Sequence, residues 1–296
     1  MSLRLGIIGL SEGNGHPYSW SAIFNGYNEE LIEQCGYPVI PRYLKEQSWP
    51  SAKIHEASVT HVWSQDKTLS ELIAKTCHIT HVVDSFEDMI GSVDAVLLAR
   101  DDAENHLAMT SPFLKAGLPV YIDKPICLSV SDLQKLYKLQ LYEGQIFSCS
   151  ALRYAKELHL SEFERAQLGT IQHVQCYTPK SWDKYAIHLL DPLLLLIGNQ
   201  GELKSSQNWS SEGYSNTHYQ WESGLTASVS SLGNVLSPIG FKVFGQKSSK
   251  ELIFADTFSA FKQTLNAFVQ GVINKEEVIP YSNNYRVVDM IEKGRG

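Results

Sequence analysis

Between residues 3 and 125 the chain alternates short, continuously apolar runs with segments whose apolar residues fall at helical spacing. Arg4–Gly9 reads as a buried strand and Tyr18–Tyr27 as the helix behind it. Val59–Trp63 is a second strand. In Thr68–Thr76, Leu69, Leu72 and Ile73 share one helical face. Thr80–Val83, Val93–Ala99 ("VDAVLLA") and Val120–Asp123 follow as strands. Phe86–Ile90 is a brief helix, and His106–Ala116 a longer one, stopped by Gly117 with Pro119 beyond. Strands apolar on both faces, alternating with helices, require a parallel sheet wound on both sides. The helix Ser131–Tyr142 and the strand Gln145–Cys149 extend that layer.

About thirty residues separate the first helix from the second strand, where a β-α-β unit needs only a few. This stretch, 28–58, carries Pro38, Pro41 and Pro50 and cannot be one long helix. It reads as a surface insertion. After residue 150 the pattern changes. Ile171–Tyr177 alternates as a strand, and 202–209, 216–221, 224–231, 239–245 and 250–255 are further strand candidates. Polar alternation with short connections points to an antiparallel sheet with one solvated or partner-facing side. Helices at Phe258–Ile273 and Tyr285–Glu292 close the chain.

The 296 residues carry a net charge of −7, with no basic concentration that would suit nucleic acid. The five cysteines are scattered, with no C-x-x-C pair, and read as reduced thiols rather than a disulfide framework or a zinc site. The longest apolar run, Leu193–Ile197, is far too short to cross a membrane, and no secretory apolar region opens the chain. No metal site, no nucleic-acid partner and no membrane partner are expected, and the location expected is the cytoplasm.

Three stretches carry candidate chemistry. "YIDKP" sets Lys124 at the C-terminal end of a parallel strand, where ligands of open α/β sheets bind. "YAIHLLDPL" spaces His188 and Asp191 three apart, on one face of a helix. His188 offers proton exchange near neutral pH. Asp191 precedes Pro192 and is either a helix N-cap or a site residue. "LLARDDAENH" places Ala99, Arg100 and Asp101 at the mouth of a cleft, with Asp102 and Glu104 in capping positions. Near the N-terminus, "GIIGLSEGNGHPYSW" opens like a nucleotide-binding turn. The dinucleotide fingerprint, however, puts glycines where this chain has Gly9, Ser11 and Asn14, and its further glycines are Gly13 and Gly15. On its own the loop is either a cofactor turn of altered form or a glycine-rich loop that binds nothing.

Taken in order, these pieces resemble the glucose–fructose oxidoreductase / inositol dehydrogenase (Gfo/Idh/MocA) family of nicotinamide-dependent dehydrogenases. The family's run from a histidine through "AG" to a strand and "EKP" is matched by His106, Ala116-Gly117 and "DKP" at 123–125. Its aromatic-and-arginine strand end is matched by Arg153-Tyr154, and its G-x-H-x-x-D segment by residues 186–191. The resemblance spans nearly the whole chain. It implies a Rossmann-like, doubly wound parallel sheet in a domain of residues 1–125. A C-terminal α+β domain of residues 126–296 follows, built on an open, mainly antiparallel sheet.

It also implies NAD or NADP as cofactor and hydride transfer to or from a hydroxyl-bearing carbon of a sugar, sugar derivative or polyol. An NAD-dependent glycoside hydrolase without net redox, and a non-catalytic regulator of the same fold, are the alternatives it leaves. Lys124 and His188 sit at the sugar by this resemblance. The aspartate that the family often has four residues before the histidine is replaced by Lys184, with Asp183 beside it. Lys184 then becomes a candidate base or substrate ligand.

The loop becomes the pyrophosphate loop, with Gly9, Ser11, Glu12, Gly13, Asn14, Gly15 and His16 at the cofactor. Ala99, Arg100, Asp101, Asp123 and Lys124 complete that set. Asp66, after the second strand, suggests NAD, while Ser64 with Lys67 would admit the phosphate of NADP. A homo-oligomer, dimer or tetramer, is expected through the exposed face of the second sheet.

Overall fold

The computed structural model describes residues 2–295. They form two compact units. The first holds the described residues through Cys127, then Ser131–Ser148 and Phe261–Tyr281. The second holds Leu128–Val130, Cys149–Ala260 and the described residues from Ser282.

Six parallel strands make the sheet of the first unit: β1 (Leu3–Ile8), β2 (Ala57–Trp63), β3 (His81–Val82), β4 (Ala95–Leu98), β5 (Val120–Ile122) and β6 (Ile146–Phe147). Their order is 3-2-1-4-5-6, the doubly wound arrangement that the sequence predicts. The order reverses between β1 and β4. Their C-terminal ends, Ile8 and Leu98, lie side by side, and the loops leaving them open onto the crevice where such sheets bind ligands. Every residue of β4 and β5 is buried, which is why neither strand alternates in sequence.

The stretch 28–58 packs more firmly than a surface insertion. It forms short helices at Glu29–Ile32 and Val39–Lys45, buries Ile32, Ile40, Leu44 and Ile54, and donates the Tyr43 hydroxyl to Ser19 on the first helix, His16–Asn25. Pro38 heads the second helix and Pro41 lies in its first turn, where proline is tolerated, and the apolar residues around them still find the core. From Phe261 onward the helix Thr257–Asn274 belongs to this unit. Phe261 meets His16 and Trp20, and Phe268 meets Tyr121 and Phe147.

The second unit is built on β7 (Ile171–Thr178), β8 (Leu203–Ser211), β9 (Tyr214–Trp221), β10 (Thr226–Ser231), β11 (Gly240–Gly245) and β12 (Ser249–Ile253), in the order 12-11-7-10-9-8. β7 and β10 pair in parallel and the other neighbours antiparallel. One face buries Val174, Cys176, Tyr219, Trp221, Val229 and Phe241. Tyr219 donates its hydroxyl to the Met290 carbonyl, and Trp182 its indole N–H to Ile291, tying in the last helix, Tyr281–Lys293. The other face carries short polar residues on the central strands, such as Thr226, Ser228 and Ser230 on β10, and is half-exposed. No helix among the described residues is long and apolar enough to cross a membrane.

Candidate active site

In the first unit, residues 9–16 turn back onto the ends of β4 and β5. The glycines do different things. A β-carbon at Gly9 would run into the Pro17 ring, and one at Gly15 would come 2.6 Å from the Tyr37 ring and from Ile40. Gly13 meets nothing, but its φ of +78° lies in the left-handed region that glycine enters without steric penalty. Close approach is thus required at Gly9 and Gly15, and conformational freedom at Gly13.

The polar residues of the loop latch it down. Ser11 donates its hydroxyl to Asp101 (2.6 Å) and accepts the Asp101 backbone N–H (3.0 Å). Asn14 donates its amide to Asp123 Oδ2 (2.8 Å), and its own carbonyl oxygen accepts the His16 N–H. His16 Nδ1 lies 2.6 Å from the same Asp123 oxygen, and its ring stacks on Trp20. Burial opposes the charge on Asp123. The neighbouring His16 and Lys124, with the Asn14 amide, overcome it and hold the carboxyl at about 2. Glu12 is exposed.

Lys124 is buried, with Nζ 3.8 Å from Asp101 Oδ2, and its backbone N–H donates to Asp123. Ala99 is fully buried at the end of β4. Arg100 grips Asp102 through two nitrogens (2.9 and 2.6 Å) and reaches Gln65 (2.9 Å). Gln65 also accepts the Leu10 N–H, so it joins the loops leaving β1, β2 and β4. Gln65 carries no sequence signal, because nothing in its neighbours marks it. His106 stands between the carbonyls of Arg100 and Ile126 (2.9 and 3.0 Å), fastening the loop after β4 to the segment after Lys124.

The residues expected to choose between NAD and NADP have structural tasks. Asp66 caps the helix Lys67–Thr76, accepting from Thr68 and Leu69. Ser64 is buried against Ser70, and Lys67 pairs with Asp84.

In the second unit, His188 and Asp191 lie on the helix Ile187–Ile197. Asp191 is no N-cap: Ala186 holds that position and Asp191 lies inside the helix, followed by Pro192. Its fully buried carboxylate accepts the Ser150 N–H (2.9 Å), Arg153 Nη1 (2.7 Å) and the Asn283 amide (3.3 Å). Burial alone would lower the Arg153 pKa, but Asp191 raises it above the ordinary guanidinium value. Ser150 Oγ lies 2.8 Å from His188 Nδ1 and fixes the ring from one side. Tyr185 meets the His188 ring edge-on. Ser150 and Asn283 form this support and carry no sequence signal of their own. Lys184 is half-buried on the short helix Trp182–Tyr185, while Asp183 pairs with Arg295 (3.0 Å).

Residues 34–150 match the model of an oxidoreductase family with an NAD-binding Rossmann fold, GFO_IDH_MocA. Over these residues the chain is similar to that family. The matched span begins after the glycine-rich loop, the part of the sequence that departs from the dinucleotide fingerprint. No curated protein matches the chain. Solved structures match its fold over nearly its whole length. Myo-inositol 2-dehydrogenase from Lactobacillus plantarum superposes with a TM-score of 0.73 at 14% identity, covering 99% of this chain and 96% of its own. Apo scyllo-inositol dehydrogenase from Lactobacillus casei gives 0.70 at 16%, with 98% and 94% covered. UDP-N-acetylglucosamine 3-dehydrogenase from Acidithiobacillus ferrooxidans gives 0.72 at 14%, with 100% and 97% covered. At these identities the likeness is one of fold. Among the described residues no cluster of histidine, cysteine and carboxylate side chains could hold a metal ion.

Proposed function

We propose that the protein is an NAD(P)-dependent dehydrogenase that moves a hydride to or from a hydroxyl-bearing carbon of a sugar, sugar derivative or polyol. The observation that carries this reading is Lys124. It is a buried lysine at the C-terminal end of a parallel strand beside the topological switch point, its ammonium 3.8 Å from Asp101. A cation held there stabilises the oxygen on which negative charge grows as the carbonyl forms or is reduced. In the second unit His188 is the group for proton exchange with substrate, with Ser150 setting its ring and Asp191 holding Ser150 and Arg153 in place. Lys184 binds a substrate hydroxyl.

The residues fit a dinucleotide. Gly13 faces open space in a left-handed turn, and the loop leads into the N-terminus of a helix, whose dipole favours a negative charge. Gly9, Ser11, Gly13 and His16 hold the pyrophosphate, and Arg100 lies at the cofactor. When bound, the nicotinamide supplies the hydride chemistry, and the protein supplies position and charge. The outer face of the C-terminal sheet carries a subunit contact, giving a dimer or tetramer.

The test is a screen of sugars, sugar acids and polyols for oxidation with NAD or NADP, followed by reduced-nicotinamide absorbance. Substrate-dependent reduction of either cofactor is the expected result. Binding of nucleotide and sugar with no turnover across the screen contradicts the reading.

A further inference from the structure

In the second unit three turns meet beside the helix that carries His188. Lys180 follows β7, Gly213 lies in the β8–β9 turn, and Gly233 follows β10. Lys180 has a φ of +66°, in the left-handed region that residues with side chains rarely enter. Its N–H donates to the Gly233 carbonyl and its own carbonyl accepts the Gly233 N–H. Gly233 also has a positive φ, and a β-carbon there would run into the Gly213 carbonyl oxygen. The strained backbone of Lys180 is therefore fixed by a contact that only glycine permits.

The side chain is placed as well. The ammonium stands over the Tyr185 ring, 4.9 Å from its centroid, and Tyr185 in turn packs edge-on against His188. No described carboxylate pairs with Lys180, whereas Asp183, in the same wall, is matched by Arg295. Lys180, Asp183 and Arg295 line an open cavity of about 750 Å³ with Ser210, Ser215, Ser231 and Asn234. Hydroxyl and amide walls suit a sugar, and the cation left over after the Asp183–Arg295 pair suits a negative charge. Strain kept at a defined position next to a site is a mark of function, and a cation fixed in advance loses less entropy on binding.

We propose that Lys180 is a specificity-determining residue that binds an anionic group of the substrate, a carboxylate or a phosphoryl group, so that the enzyme takes acidic sugars in preference to neutral ones. The proposal rests on the sugar-dehydrogenase reading. It is tested by binding rather than turnover, so the two fail separately.

Glucose, glucuronate and glucose 6-phosphate are titrated into the full-length protein by calorimetry. The wild type, Lys180→Asn and Lys180→Arg are compared, with thermal melting as the check on folding. Asn removes the charge and still tolerates the left-handed backbone; Lys180→Gly serves in its place should the Asn variant not fold. The wild type should bind one of the acids about tenfold or more tighter than glucose, the scale of a charge-assisted contact. That preference should shrink with added salt, vanish in Lys180→Asn and persist in Lys180→Arg. A preference for glucuronate identifies the carboxylate, and one for glucose 6-phosphate the phosphoryl group. Equal affinity for acid and neutral sugar, failure of both acids to bind, or a preference that survives in the folded Lys180→Asn variant overturns the proposal.

Discussion

At Asp123 three groups converge on one buried carboxylate: the Asn14 amide, the His16 ring and the Lys124 backbone N–H. Its pKa is depressed to about 2 from 3.8, so its contribution to stability is present above the unfolded value. That contribution is lost as pH falls from 3.8 through about 2. The depression corresponds to about 2 kcal/mol. Urea titrations across that window should show Asp123→Asn lacking this part of the acid destabilisation, while the wild type retains it. Asp191 is the counterpart in the other unit. Asp191→Asn leaves the largely buried Arg153 without its charge partner. It should lower stability by about 3 kcal/mol, the scale of a broken buried pair, and loosen Ser150 behind His188. Chemical denaturation measures the first effect, and the His188 imidazole resonances in NMR report the second. His188 and Asp191 were legible as candidates in the sequence because each stands out against apolar neighbours, and Lys124 because it ends a parallel strand before a proline. Ser150, Gln65 and Asn283 were not, because a polar residue in a loop shows its partner only once the chain is folded.

At the scale of elements, the glycine-rich loop was the hardest part to read. Its glycines do not follow the fingerprint, and the structure separates their tasks. Gly15→Ala should destabilise by about 1–3 kcal/mol, since its β-carbon would meet Tyr37 and Ile40 with little room to shift. Gly13→Ala meets no atoms and should cost about 1 kcal/mol from its backbone conformation alone. Denaturant midpoints of the two variants check the order, and equal losses would mean that the loop yields freely. Strands were easier. Continuous apolar runs marked β1, β4 and β5, and alternation marked β7, β9 and β10. The packed helices within 28–58 were hidden, because three prolines signal irregular chain and say nothing about what the residues between them bury. Asp66 illustrates the same gap. An acid after a second strand reads as a ribose ligand, and in the fold its carboxylate accepts two backbone N–H groups at the head of a helix.

For the whole molecule, the outer face of the C-terminal sheet is built of Ser, Thr, Gln, Asn and His on its central strands, where an ordinary solvated sheet would carry charge. Lys242 and Glu251 are cross-strand partners near its edge. A face so low in charge suits contact with a second copy, as interface cores are depleted in charged residues. Light scattering on the eluted protein should give a dimer or tetramer at micromolar concentration. Ser228→Lys, in the middle of β10, should shift it toward monomer. A wild-type monomer would remove the assembly from the account.

The central claim is hydride transfer assisted by Lys124, and isotope transfer reaches it most directly. A substrate found in the screen is prepared with deuterium on its hydroxyl-bearing carbon, and the nicotinamide formed is analysed by mass spectrometry. The account predicts one deuterium delivered to the reduced cofactor. It also predicts that Lys124→Met lowers kcat and kcat/KM together by about 10²-fold or more while nucleotide affinity holds. A reduced cofactor without deuterium, or a Lys124→Met variant that keeps nearly full activity, would contradict it.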